Sequence, residues 1–270
     1  MKLLPLLFAF ASIVFANATY LSLTYPVQAT LHNGSSLYIG KVGPGESFYI
    51  DASADTTNAN GMLINIGWDT LQAIGLPSGW TSQPSPLYAN PMKLKITVAQ
   101  NAPNGTYAIV ARAVNIGNYS GLGNLTFTAF INVTPDVLIA NASPLVLHSG
   151  VGQPVNLHVF INNTGASDDP FLLYTQGLPA FAESYEVIAK KDAPTTFYLP
   201  VYENEPGIYH FKLFVASATS SLVKKVFPET LIVNVSVGND YAALSQGILI
   251  SPIIYEPAYA LMQLLRLISR

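Results

Sequence analysis

A chain of 270 residues is long enough for two domains that each bury a core. Half of it is hydrophobic and a tenth charged, which excludes a disordered chain; 12 basic against 15 acidic residues leave no positive field for nucleic acid. There is no cysteine, which rules out disulfides, thiolate metal sites and a Cys nucleophile, so the fold must be held by its apolar cores.

Residues 1–18 read as an export signal. Lys2 supplies a positive start, Leu3 to Phe15 is an apolar run too short to span a bilayer, and Ala16-Asn17-Ala18 is a small-x-small cleavage site. An uncleaved anchor or a buried strand is the alternative. Asn-x-Ser/Thr acceptors fit an exterior location: besides Asn17, which leaves with the signal, they begin at Asn33, Asn104, Asn118, Asn124, Asn132, Asn141, Asn162 and Asn234. A chain rich in Asn, Ser and Thr produces some of these by chance, so they count as a set. Asn104 stands out because it sits in a turn before Gly105.

Residues 19–134 alternate in the two-residue period of strands. The expected strands are Tyr20–Leu31, Ser47–Asp51 after the turn Gly43-Pro44-Gly45, Met62–Trp68, Met92–Val98, Tyr107–Val114 and Leu125–Val133. Gly- and Pro-rich turns separate them, and no capped periodic helix interrupts. Residues 135–238 repeat the scheme, with strands expected at Asp136–Ile139, Leu145–His148, Val155–Ile161, Phe171–Tyr174, Tyr185–Ala189, Thr196–Tyr202, Ile208–Ala216 and Leu231–Val237. Pro135 marks the boundary, and Gly152 takes the place of Gly45.

One offset links the halves. Gly75-Leu76-Pro77 and Gly177-Leu178-Pro179 lie 102 residues apart, and so do Tyr107 and Tyr209, each two residues after a glycine. A shared offset over so long a stretch implies a tandem duplication. About seven short strands per copy is the count of an immunoglobulin-like sandwich, in which a tyrosine starting strand F turns its hydroxyl back onto the preceding loop. Tyr107 and Tyr209 are the expected corners. Two residues on, where antibody domains carry a cysteine, stand Ile109 and Phe211, apolar and inward by period two. The expected fold is all-β: two tandem immunoglobulin-like β-sandwiches plus a short C-terminal apolar helix.

Gly45-Glu46-Ser47, Gly75-Leu76-Pro77-Ser78-Gly79-Trp80 and Ala102-Pro103-Asn104-Gly105-Thr106-Tyr107 together resemble the NEW3 and CARDB-type immunoglobulin-like modules of archaeal and bacterial surface proteins. The resemblance covers about half of the first copy. The second departs from it, since no Gly-Trp follows Pro179. It implies an archaeal-type surface setting and no catalytic residues.

Residues 239–270 differ. After Pro257, a favourable first helical position, Gln263, Arg266 and Arg270 form one polar stripe, and Leu261, Leu264, Leu265, Leu267 and Ile268 belong to a wide apolar face. Three geometries are open. A membrane span over Ile248–Ile268 carries Glu256 inside it, at a cost of about 3 kcal/mol for a carboxylate near the bilayer centre. A helix lying in the interface or against an envelope partner avoids that cost, as does one packed on its own sandwich.

Reactive constellations are not apparent. His32, His148, His158 and His210 are scattered, and there is no His-Glu-x-x-His or Gly-x-Ser-x-Gly. Glu183 and Glu186 differ by three and so face opposite ways on a strand, while Glu203 and Glu205 belong to a loop. Asp168-Asp169 after Asn162-Asn163-Thr164-Gly165 offers oxygens for Ca²⁺, although a loop with two acids is ordinarily just solvated. Among Trp68, Trp80, Tyr88, Tyr119, Tyr198 and Tyr202, Trp80 is the candidate for stacking on a sugar ring and Trp68 for the core. No catalytic, cofactor-binding or metal site and no cofactor is expected. The sequence therefore suggests an extracellular, non-enzymatic, glycosylated structural or adhesive protein. Its C-terminal segment would meet the membrane or an envelope partner. The alternative is a carbohydrate- or protein-binding accessory module.

Overall fold

The computed structural model describes residues 20–57, 63–118, 122–180 and 183–234. The expected export signal at 1–18 and the tail at 239–270, with its expected helix and contact residues, lie outside them. Among the described residues no helix is long and apolar enough to cross a membrane.

The first half consists of β1 (Leu21–Tyr25), β2 (Ala29–Leu31), β3 (Ser36–Val42), β4 (Ser47–Ala52), β5 (Asp55–Thr57), β6 (Leu63–Gly67), β7 (Thr70–Gly75), β8 (Thr81–Gln83), β9 (Met92–Thr97), β10 (Gly105–Val114) and β11 (Leu125–Val133). One sheet runs β2-β1-β4-β9-β8 and the other β3-β11-β10-β7, with β3 parallel to β11. Alternation explains the packing. Met92, Leu94 and Ile96 of β9 point inward with Phe48 and Ile50 of β4; Ile109 of β10 and Phe127, Ala129 and Ile131 of β11 meet them from the facing sheet. Each such Ile, Leu or Phe contributes about 1.5–3 kcal/mol on full burial. Trp68 is buried in this core and its indole N–H donates to Gly123 O at 3.2 Å.

The second half consists of β12 (Leu138–Ser143), β13 (Val146–Gly150), β14 (Val155–Asn163), β15 (Asp169–Gln176), β16 (Ser184–Ala189), β17 (Thr195–Val201), β18 (Gly207–Ser217) and β19 (Lys224–Asn234). Its sheets are β12-β14-β17 and β13-β19-β18-β15-β16, with β13 parallel to β19. A separate core holds Leu157, Val159 and Ile161 of β14 with Phe171, Leu173, Phe211, Leu213 and Leu231 of the facing sheet.

Both halves have the immunoglobulin-like order. Strands A-B-E are β1-β4-β9 and β12-β14-β17, facing G-F-C as β11-β10-β7 and β19-β18-β15. The protein is all-β, two tandem immunoglobulin-like sandwiches. The fourth strand distinguishes the copies. In the first, β8 pairs with β9 and joins the A-B-E sheet; in the second, β16 pairs with β15 over Asp169–Tyr174 and joins the opposite sheet.

Several elements depart from the sequence reading. Tyr20–Leu31 is a hairpin, β1 against β2 with Leu21 opposite Leu31, because Pro26 cannot donate to a ladder. Met62–Trp68 yields β6, which pairs only with β5 outside the two main sheets; strand C is β7, in a segment with no clear alternation. Strands β3, β5 and β8 have no counterpart among the expected strands. Gly45 and Gly152 do occupy the same place, each with positive φ (84° and 66°) in the turn entering strand B.

The tyrosines sit in register. Tyr107 Oη donates to Pro103 O at 2.9 Å and Tyr209 Oη to Glu205 O at 3.0 Å, each reaching four residues back. Both hydroxyls face solvent, so water competes for each bond. Tyr107→Phe and Tyr209→Phe should each destabilise the protein by only about 0.5–1 kcal/mol, at the low end for a lost hydrogen bond, as read by urea denaturation. No change in either variant would mean that the corner bonds contribute nothing.

Candidate functional site

Polar chemistry in this molecule concentrates where the sandwiches meet. The β14–β15 loop of the second sandwich reaches the first. Its shape comes from Asn163, a buried residue whose amide donates to Ser167 O at 2.8 Å and Ala189 O at 3.0 Å and whose carbonyl oxygen accepts from Gly165 N at 2.8 Å. This curl presents Ala166, which enters the core of the first sandwich and donates its N–H to Lys41 O at 2.6 Å. The approach is close at Gly40, where an added Cβ would lie 3.3 Å from that of Ala166. Beside the loop is a shallow cleft of ≈ 270 Å³ lined by Tyr38, Lys41, Thr164, Lys191 and Asp192 among others.

A second contact lies at the turn before β4. Glu46 curls over its own turn, accepting from Gly43 N at 2.7 Å, and Val223 of the second sandwich packs against Gly43 so tightly that a Cβ there would overlap it. The Glu46 carboxyl meets Asp169 of β15 and Ser217 of β18. Thr219 Oγ1 donates to Asp169 Oδ1 at 3.2 Å, and Gln100 Nε2 donates to Thr219 O at 3.1 Å across the joint. Glu46 is 5 % and Asp169 6 % exposed. Burial first, then the charge of Asp169, pushes the Glu46 carboxyl from its ordinary 4.5 up to about 8. Burial likewise raises Asp169, against the hydroxyls of Ser217 and Thr219.

The sequence candidates fall elsewhere. Trp80 is a correction. It is only 7 % exposed and its ring packs on Tyr107 with centroids 5.3 Å apart, so no face is free for a sugar. The residue before it, Gly79, turns the chain inward with φ 79°. Of the other aromatic candidates Tyr88 and Tyr198 are exposed, Tyr202 is half-buried and Tyr119 lies outside the described residues; Tyr38, Tyr49, Phe130 and Phe160 are exposed as well. Tyr198 lies on the outer face of β12-β14-β17, where it is cross-strand from His158, while Phe160 is opposite Asn141 and Ile139 opposite Asn162. Asn33, Asn104, Asn124, Asn141 and Asn234 are exposed, and Asn132 and Asn162 are half-buried. The Asn118 side chain is outside the description.

The acids divide differently from the expectation. Asp168 is exposed and its Oδ1 accepts from Lys191 N at 2.8 Å, while Asp169 turns inward to the joint; the two do not converge as loop ligands. Glu203 is buried and accepts from Ala180 N at 3.1 Å. His158 and His210 are exposed, not in the cores. Sequence reasoning missed the pairing of Glu46 with Asp169, and it missed Glu229, a buried acid of β19 that burial raises to about 7. A signal was available for Glu46. Its counterpart in the second copy is Gln153, buried in the same turn, where the N–H of Gln153 donates to Gly150 O as that of Glu46 donates to Gly43 O.

A search of known protein families matches none, and no curated protein matches the sequence. Solved structures that are similar include a chimeric titin Z1Z2 (14% identity, 80% of this chain and 98% of that one, TM-score 0.33) and a titin I9–I11 tandem (10%, 79% and 65%, 0.33). The D00–D0 domain of intimin is another, at 13% identity, 77% of this chain, 98% of that one and TM-score 0.23. The assignment as a tandem immunoglobulin-like protein rests on the strand order described above.

Trp80→Ala separates a core tryptophan from a binding one. It should cost about 3–5 kcal/mol in denaturant unfolding, as large aromatic truncations in cores do. A variant as stable as the parent would show the indole to be dispensable to the core.

Proposed function

We propose that this chain is an exported, glycosylated cell-surface protein with a structural or adhesive role, held at the envelope by its C-terminal segment and without enzymatic activity. The disposition of the sequons carries the reading. Of the seven candidate asparagines with described side chains, five are exposed, two half-buried and none in a core. The resemblance to NEW3 and CARDB-type modules supports the same setting, and the joint supports a spacer role, because two docked sandwiches present a surface at a set distance from their anchor. The paired acids of the joint are shut between domains, which suits a structural part better than a catalytic one.

The tests are direct. Glycopeptide mapping of the protein from its native host should find Asn33, Asn104 or Asn141 occupied; bare asparagines throughout would remove glycosylation from the proposal. In liposome flotation the full chain should rise with the vesicles and a chain ending at Gly238 should stay in the soluble fraction. Equal behaviour of the two, with a monomeric full chain, would remove the anchor.

The alternative, a carbohydrate- or protein-binding accessory module, gains from the outer face of β12-β14-β17. There Ile139, Phe160 and Tyr198 are exposed together.

A further inference from the structure

We propose that Glu46 and Asp169 form a proton-held latch between the sandwiches, closed while the pair shares a proton and loosened when it is lost. The proposal goes beyond the envelope role and stands without it.

The geometry carries it. Two carboxyls from different domains, each more than nine-tenths buried, face each other across the joint. Glu46 Oε1 and Asp169 Oδ2 are buried and accept from no donor among the described residues. Two carboxylates cannot donate to each other; one must carry a proton to make the contact a bond. With both ionised, two like charges face each other in a site of low polarity, and separating the domains relieves the repulsion.

Among the described residues compensating charge is lacking. The elements packed on Glu46 contribute Gly43, Asp169, Ser217 and Val223, and Asp169 is the titratable group among them. Of the charged residues next along these elements, Asp168 serves Lys191 N and Lys225 pairs with Asp136 at 3.7 Å. Lys41 and Lys224 are exposed, and none of these acts on Glu46. A calcium ion would ask for six to eight oxygens, and this site brings two carboxyls and two hydroxyls, both already turned to Asp169.

The second copy shows that the turn needs no charge, since Gln153 fills the place of Glu46 there. The acid stands only in the copy whose turn faces the other domain.

The direction follows from the pKa. The Glu46 value is raised from 4.5 to about 8, so its contribution is fully present below pH 4.5 and is lost as the pH rises through about 8; Asp169 shifts the same way. Glu229 also disfavours ionisation, inside the second sandwich, so a melting curve against pH would mix the two effects. The interdomain distance reads the latch alone.

The chain has no cysteine, so spin labels can be placed at S82C and E186C, on exposed residues of either sandwich. Pulsed electron-spin distance measurement on the full chain should give a narrow distribution at pH 5.5 and a broad one at pH 9, with the midpoint between. Glu46→Gln should stay narrow at both, because its amide donates to the Asp169 carboxylate without a titrating proton. Asp169→Asn is the second variant, with the same expectation if the first does not fold. A width independent of pH in the parent, or the same broadening in both variants, overturns the latch. So does narrowing of the parent at pH 9 by millimolar Ca²⁺, absent in Glu46→Gln, which would make the pair a cation site.

Discussion

Each sandwich is held by apolar side chains pressed between two sheets, and every other feature is built on that. Without cysteine, nothing covalent ties strand B to strand F, and the positions that would carry such a bond are filled by packing. Ile109 and Phe211, both buried, sit two residues beyond their tyrosines, where period two turns them inward. Such contacts work through volume and shape, so they require long, regular ladders. The F–G hairpins supply these: β10 against β11 from Gly105 opposite Val133 to Ala113 opposite Leu125, and β18 against β19 from Gly207 opposite Val233 to Ala216 opposite Lys224.

The junction between the sandwiches is of another kind. Its described apolar contacts are small, Ala166 entering the first core and Val223 against Gly43, and around them lie backbone bonds and acids. A joint of that composition is set by a few directional contacts, which gives a defined geometry without a large stabilisation. Buried carboxyls in such a place cost free energy unless they are protonated or paired.

Legibility differed from one element to the next. Strands with strict alternation, such as Met92–Thr97 and Leu125–Val133, were visible because one face is buried and the other wet. Strands β3 and β7 were not, because Gly40 interrupts one and polar Thr70 and Gln72 blur the other. The hairpin at β1 and β2 reads in sequence as one strand because both arms are apolar and only Pro26 divides them. Trp80 looked like an exposed turn residue because its neighbours Gly79, Thr81 and Ser82 are those of a loop; only Tyr107, far along the chain, makes it part of the core.

Sequence alone determined the all-β class and the duplication, since both follow from local rules: period-two burial, turn residues, and a tyrosine fixed at a set distance from a glycine. Which sheet receives the fourth strand was decided by tertiary structure, for β8 and β16 follow similar turns yet pair with different neighbours. So was the meeting of Glu46 with Asp169. The reason is physical: alternation reports which way a side chain points within its own sheet, whereas partners across a domain joint are set by how two finished surfaces fit, and no local pattern encodes that fit.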